Sequence, residues 1–139
     1  MKVLAAIVMA PHWLTAGGPN AALRLSAAVS KRCDIEVARM ATVDATTSGG
    51  GLTVFDLACS NPFSFARGVV PGGVLTLFYR ARIPDVVRTR RYDLVHIHNP
   101  LPALEMKRVA DACQASGVPY VVSTHGLVEL ASQGRALDF

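Results

Sequence analysis

The chain has 139 residues, of which 51% are hydrophobic and 17% charged, and its formal net charge is +4. This size and composition exclude a disordered tail and allow one domain with a substantial core. The positive charge comes mostly from arginine, and no aromatic-interleaved basic stripe accompanies it, so we expect no nucleic-acid binding. The cysteines are widely spaced without a CxxC pair, which indicates a reducing compartment, and we expect a cytoplasmic protein. They are Cys33, Cys59 and Cys113.

The first 40 residues predict a βαβ unit. An apolar run at residues 3–9 predicts a buried strand, and residues 11–20 form a loop that contains Gly17 and Gly18. Residues 19–30 predict a helix, whose first turn suits Pro19 because the missing N–H has no intrahelical partner there. With a second strand at residues 34–40, the unit implies a parallel sheet.

The middle of the chain gives weaker signals. Residues 44–51 are rich in Ser, Thr and Gly and predict a loop, and residues 52–57 predict a short strand. Residues 61–73 contain prolines and glycines and predict irregular structure. Residues 74–91 have a helical pattern that we expect to be kinked or broken near Pro84.

The strongest strand signal lies within residues 92–102, YDLVHIHNPLP. An apolar run that stops in a polar turn predicts a buried parallel strand, on which His96 and His98 share one face. Ligands of open α/β sheets bind at the carboxyl ends of the strands, where strand order reverses, so His98 and Asn99 are candidate site residues. His96 lies one pleat deeper, and we predict a core histidine with a backbone partner.

The last third predicts one more helix and one more strand. Residues 103–116 have a helical pattern closed by Gly117, a typical carboxyl-terminal cap. Residues 118–124 predict a strand that ends in Thr124 and is followed by His125. No run approaches the roughly 20 apolar residues of a membrane-spanning helix.

Three segments, in this order, resemble the amino-terminal half of a family 4 glycosyltransferase of the two-Rossmann-domain (GT-B) type. They are MKVLAAIVMAPHWLTAGGPNAALRLSAAVSK, YDLVHIHNPLP and GVPYVVSTHGL. The resemblance implies a Rossmann-like three-layer α/β/α domain with a mostly parallel sheet, one half of a GT-B fold. It also implies transfer of a sugar from a nucleoside diphosphate sugar to a hydroxyl acceptor, with retention, in the biosynthesis of polysaccharides, glycolipids or other glycoconjugates.

The chain departs from the family pattern in one respect. The second Rossmann domain of such enzymes supplies the nucleotide pocket and an E-x7-E segment, and this chain contains neither. We therefore interpret residues 1–139 as an amino-terminal acceptor-side domain whose carboxyl-terminal donor-binding domain is absent from this chain. We expect the chain alone to be inactive, and we expect no metal and no cofactor besides the donor substrate.

Glycines and histidines supply the candidate site. The amino terminus of the predicted helix after Gly17 and Gly18 offers free N–H groups to an anion, and glycine lets a diphosphate approach the backbone. The alternative is a tight strand-to-helix turn with no ligand.

The family resemblance assigns the remaining site residues. It implies that His125 is the catalytic residue, which reaches the transferred sugar and helps to hold the charge that develops at the anomeric carbon. Thr124 and His12 join His98 and Asn99 as substrate-binding residues. The alternative for His125 is a histidine held by the backbone of its own loop.

Five arginines cluster in the sequence after an apolar stretch. They predict a peripheral contact with the anionic inner face of a membrane, as in family members with lipid-linked acceptors. The alternative is a solvated helix face. The arginines are Arg80, Arg82, Arg88, Arg90 and Arg91.

Two other functions stay open on the sequence. One is a zinc-dependent hydrolase in which His96, His98 and His125 bind the metal, although no Asp or Glu lies beside them except Asp93. The other is a non-catalytic Rossmann-like binding module.

Overall fold

The computed structural model describes residues 1–13, 17–99 and 101–124, which form a six-stranded sheet with helices on both faces. The strands are β1 (Lys2–Ile7), β2 (Asp34–Ala41), β3 (Ala45–Gly49), β4 (Leu52–Ala58), β5 (Leu94–His98) and β6 (Tyr120–Ser123). The helices are α1 (Gly17–Val29), α2 (Gly72–Thr76), α3 (Ile83–Thr89) and α4 (Ala103–Ala115). Short 3-10 turns span Pro11–Trp13 and Ser64–Ala66.

The strand order across the sheet is β3-β4-β2-β1-β5-β6, and every pair is parallel except β3 with β4. After β1 the chain builds β2 and β4 on one side and then crosses to β5 on the other side, so strand order reverses between β1 and β5. Ile7 lies opposite His98 at that point. The predicted α/β/α fold with a mostly parallel sheet is confirmed, and so is the position of the first strand beside residues 94–98.

Alternating side chains of β1 supply a core on each face of the sheet. Val3, Ala5 and Ile7 pack on the face that carries α1, where Ala22 is fully buried. Side chains of even number pack on the other face against α3 and α4; they are Leu4, Ala6 and Val8. Burial of a Val, Leu or Ile side chain contributes about 1.5–3 kcal/mol, so this strand anchors both layers.

An ion pair within α4 lies against the segment that leads into α3 and is joined to it by a hydrogen bond. The Glu105 carboxylate is fully buried, and Arg108 Nη1 lies 2.6 Å from its Oε2. The same nitrogen donates a hydrogen bond to the backbone oxygen of Ala81 at 3.0 Å. Burial raises the pKa of the Glu105 carboxyl, and the nearby Arg108 opposes that rise.

The prediction of a loop over residues 44–51 was wrong. Residues 45–49 form β3, which pairs antiparallel with β4. A two-residue turn at Gly50 and Gly51 joins these strands, with φ values of 59° and 79° that glycine adopts without strain. All five β3 residues are exposed, so the strand has no apolar alternation from which it could be predicted.

The helical pattern over residues 74–91, predicted to be kinked or broken near Pro84, is broken into two helices, but the break lies before Pro84. The two helices are α2 and α3, and a turn at residues 77–78 and an isolated bridge at Arg80 lie between them. Pro84 lies in the first turn of α3, where a proline ring is tolerated, so it starts a helix and kinks none. The predicted cap is confirmed at Gly117, which follows α4 with a φ of 66°.

Candidate functional site

The first candidate site is the crevice where strand order reverses, between the carboxyl ends of β1 and β5. Helix α1 begins at Gly17, so Gly17 and Gly18 form its first turn, whereas the sequence placed them before the helix. A Cβ added at Gly17 would meet no atom within 4 Å. The described packing therefore does not require glycine here, which removes close packing as a reason for it.

His98 and Asn99 lie at the base of this crevice and are 1% and 2% exposed. The His98 ring stacks on the His96 ring with 3.9 Å between their centroids. Asn99 has a φ of 67°, a left-handed conformation that asparagine tolerates, and its backbone N–H donates to the Ser123 oxygen at 2.9 Å. The turn after β5 is thereby fixed to β6, and the role of both residues in acceptor binding stays a prediction.

His96 contacts the neighbouring strand. Its Nε2 lies 2.7 Å from Ser123 Oγ, so the hydroxyl of a β6 residue is one partner of this ring, where the sequence predicted a backbone group. Thr124 is exposed at the end of β6, on the same edge of the sheet. His125, the predicted catalytic residue, lies outside the described residues.

A second candidate site is an open cleft above the carboxyl ends of β1, β2 and β4. It has two adjoining lobes of about 450 and 410 Å³, and His12 and Tyr79 line both of them. Their rings are 6.1 Å apart. Burial raises the pKa of the Cys59 thiol, so Cys59 presents an uncharged group to this space. The other described lining residues are Pro11, Thr42, Asn61, Arg67, Gly72, Gly73, Leu75 and Thr76.

Residues 61–79, which we call the 61–79 loop, form one wall of the cleft. Backbone hydrogen bonds of 2.9 Å in both directions between Ser60 and Arg80 close the base of this loop. Asn61 braces the interior, because its Nδ2 donates to the Leu75 oxygen at 2.7 Å and its Oδ1 accepts from the Phe63 N–H at 2.9 Å. The wall is therefore held in shape by hydrogen bonds before any ligand is present.

Comparison with models of known families identifies the family of the chain. A family model described as Glycosyltransferase Family 4 matches residues 15–138, almost the whole chain. The chain belongs to glycosyltransferase family 4. No curated protein matches it. The family resemblance predicted from the three sequence segments is thus confirmed.

In this family 4 domain the five clustered arginines do not form one free cationic surface. Three of them contact carboxylates. These ion pairs join Arg82 to Asp44, Arg88 to Asp85 and Arg90 to Glu36. Within residues 1–13, 17–99 and 101–124, no helix is long and apolar enough to cross a membrane.

In the part of the family 4 domain that the structure describes, the three ligands that the zinc alternative needs do not come together. There, no three His, Cys, Asp or Glu side chains come together as a metal site. The third ligand that this alternative needs, His125, lies outside the described residues.

His12, predicted from the sequence as a substrate-binding residue, does line the cleft, but the side chains of the cleft wall were not predicted. Arg67 belongs to the stretch predicted to be irregular, and Tyr79 belongs to the stretch whose helical pattern gave no reason to expect a site residue. One signal could have found them, since a long irregular segment after a parallel strand ends at the functional edge of the sheet.

Proposed function

We propose that this family 4 domain is the acceptor-side half of an enzyme that transfers a sugar from a nucleoside diphosphate sugar to a hydroxyl group, with retention of configuration. The observation that carries the proposal is the amino terminus of α1 at the point where strand order reverses. Free N–H groups and about half a positive charge at such a terminus favour a phosphate. The first turn of α1 contains no acidic residue that would oppose a bound anion.

The two candidate sites suggest a division of labour. The donor diphosphate binds at Gly17 and Gly18, and the acceptor occupies the cleft beside His12. In the reaction the bond between the anomeric carbon and the diphosphate breaks, a bond to the acceptor oxygen forms, and the acceptor proton is released. His125 hydrogen-bonds the transferred sugar and stabilises the charge that develops on it, a role that rests on the family alone.

A GT-B enzyme needs a second domain for the nucleotide, and residues 1–139 correspond to one Rossmann-like domain. Acceptors in glycan or glycolipid synthesis and a cytoplasmic location, consistent with three free cysteines, complete the proposal. Contact of the arginines at positions 80, 82, 88, 90 and 91 with a membrane surface stays a prediction, because the ion pairs of three of them reduce the positive charge that they present.

Replacing Gly17 with Ala tests the phosphate site in the enzyme that also has its donor-binding domain. We expect the KM for the donor to rise about tenfold, because the new Cβ stands where a diphosphate would approach the backbone. Stability should stay level or rise by up to about 1 kcal/mol, since alanine favours helices and the Cβ meets no neighbour. The measurements are donor saturation kinetics and thermal unfolding.

Gly49→Ala is the matched control for Gly17→Ala. Its Cβ also meets no atom within 4 Å, and Gly49 lies at the end of β3, away from the crevice. This variant should keep the donor KM. An unchanged donor KM in Gly17→Ala would remove the phosphate role of α1.

The purified 139-residue chain should show no glycosyl transfer by itself, because the nucleotide contacts and part of the phosphate contacts are missing. Release of nucleoside diphosphate can be measured with a panel of nucleotide sugars and simple hydroxyl acceptors. Turnover above the rate in buffer would contradict the division of labour between two domains.

A further inference from the structure

We propose that the acceptor carries a phosphate group and that Arg67 binds that phosphate at the wall of the cleft. The inference rests on the proposed function, since it assumes that the cleft is the acceptor site. It goes further because it names the chemical class of the acceptor and the residue that selects it.

The charge of the cleft favours a phosphate. Arg67 lines the larger lobe, and its guanidinium makes no ion pair or side-chain hydrogen bond with any residue the structure describes. Other arginines do pair with carboxylates: Arg39 with Asp56, Arg82 with Asp44, Arg90 with Glu36 and Arg108 with Glu105. None of the described lining residues is an Asp or Glu, so the positive charge of Arg67 acts on the cleft without local compensation.

The geometry of the wall also favours a phosphate. Arg67 follows the 3-10 turn Ser64–Ala66, and its backbone N–H donates to the Ser64 oxygen at 3.4 Å, so the side chain starts from a defined turn. A guanidinium presents a planar fork of donors that matches two phosphate oxygens. The Tyr79 hydroxyl is a further donor on the lining of the same lobe. Gly72 and Gly73 lie on the same wall and leave the space beside them open, because a Cβ on either would meet no atom within 4 Å.

The apolar residues beside Arg67 define which phosphates fit. Phe65 is 84% exposed and Val69 is 89% exposed, and they flank Arg67 at two residues on either side. Phe63 packs edge-on against Phe78 with 4.9 Å between the ring centroids, and this contact supports the 3-10 turn that precedes Arg67. A phosphate attached to a lipid and a phosphate on a soluble sugar share the group that Arg67 would bind, and they differ in their use of Phe65 and Val69.

The direct test is binding of glycerol 3-phosphate and inorganic phosphate to the 139-residue chain, followed by chemical shifts of backbone amides. We expect saturable binding with a Kd in about the millimolar range and shifts at Arg67 and Gly72. Arg67→Gln should weaken binding by about tenfold, the lower range for a hydrogen bond to a charged group. Glycerol serves as the neutral probe and should produce no such shifts.

Arg32→Gln is the matched control, because it removes the same charge from an exposed arginine before the amino end of β2, at the opposite edge of the sheet. It should leave phosphate affinity unchanged. Equal weakening in both variants would mean a general charge effect and would overturn the inference. Absence of phosphate binding at millimolar concentrations would overturn it as well.

Vesicles separate the two sources of phosphate. If the acceptor is a lipid, the chain should sediment with vesicles of phosphatidylcholine plus phosphatidic acid and not with phosphatidylcholine alone. Phe65→Ser should then reduce sedimentation severalfold while the affinity for glycerol 3-phosphate stays the same. Binding of glycerol 3-phosphate without sedimentation would identify a soluble phosphorylated acceptor, and it would support the inference equally.

The inference and the proposed function can fail separately. If the enzyme with its donor-binding domain glycosylates a neutral acceptor with the same kcat/KM before and after Arg67→Gln, the phosphate inference is overturned and the proposed function stands. If that enzyme transfers no sugar from any nucleotide sugar, the proposed function fails, and the phosphate measured at Arg67 then belongs to another activity.

Discussion

Replacing Arg108 with Met is expected to lower the free energy of unfolding by about 3 kcal/mol, the lower end of the range for breaking a buried ion pair. The substitution leaves the fully buried Glu105 carboxylate without its counter-ion, while Met keeps most of the apolar stem of the arginine. The lower end applies because the Arg108 side chain is 36% exposed, so water partly screens the pair. Urea unfolding at pH 7 measures the change, with an unaltered slope as the sign of a two-state comparison.

The pH dependence of stability gives this prediction a second observable. Burial raises the pKa of Glu105 in the folded chain above its ordinary value of 4.5. Between these two pKa values the unfolded chain has released a proton that the folded chain still holds, so the free energy of unfolding falls as pH rises. Removing the Arg108 charge raises the folded-state pKa further, and the fall should therefore extend to higher pH in Arg108→Met.

The double variant Glu105→Gln, Arg108→Met is the control for this ion pair. It removes both charges, so it should be more stable than Arg108→Met and should lack the pH-dependent fall that comes from Glu105. If Arg108→Met lowers the free energy of unfolding by less than about 1 kcal/mol and keeps the pH profile of the unchanged chain, the ion pair contributes little to stability.

In the enzyme with its donor-binding domain, His125→Ala is expected to lower kcat about 10- to 150-fold. This range corresponds to the loss of about 1.5–3 kcal/mol, the value of a hydrogen bond that involves a charged group. The effect should appear in kcat and kcat/KM alike, because the bond strengthens only as charge develops on the sugar. Steady-state kinetics with both substrates provide the measurement.

His98→Ala is the comparison for His125→Ala. It should act mainly on the KM for the acceptor if the acceptor extends from the cleft into the crevice at His98, and its unfolding should be followed as well, since His98 is almost fully buried against His96. A zinc enzyme would behave differently, because both variants would lose stoichiometric metal and all activity together, and a chelator would have the same effect. Zinc content measured in the unchanged protein and in both variants decides between these outcomes.

The parts of the fold that could be predicted are those with a strong local pattern. The apolar run of β5 fixed its limits at Leu94–His98, and side-chain alternation placed His96 and His98 on one face. No such pattern exists in β3, whose residues are all exposed and whose pairing with β4 depends on the turn between them. Pro84 was ambiguous, because proline is typical both of a broken helix and of a first helical turn.

The candidate site likewise contains residues that could be placed from the sequence and residues that could not. His12 could be placed near the carboxyl edge of the sheet from the sequence, because the loop that contains it follows β1, whereas Gly17 was expected just before α1 and lies in its first turn. Arg67 and Tyr79 could not be placed, since their approach to the cleft depends on the pairing of Ser60 with Arg80, residues 20 positions apart, which no local pattern predicts.

Because hydrogen bonds close its base, the 61–79 loop can be exchanged for another segment without a change in the rest of the fold. Its two ends meet at the Ser60 and Arg80 hydrogen bonds, so a segment of another length can leave and re-enter at the same place. Lengthening a surface loop costs little conformational entropy, about 0.6 kcal/mol for each doubling. Neither the sheet nor the crevice at Gly17 has to change when this wall is exchanged. If the cleft holds the acceptor and Gly17 the donor, as proposed, proteins built on this sheet can acquire new acceptors while they keep the same donor.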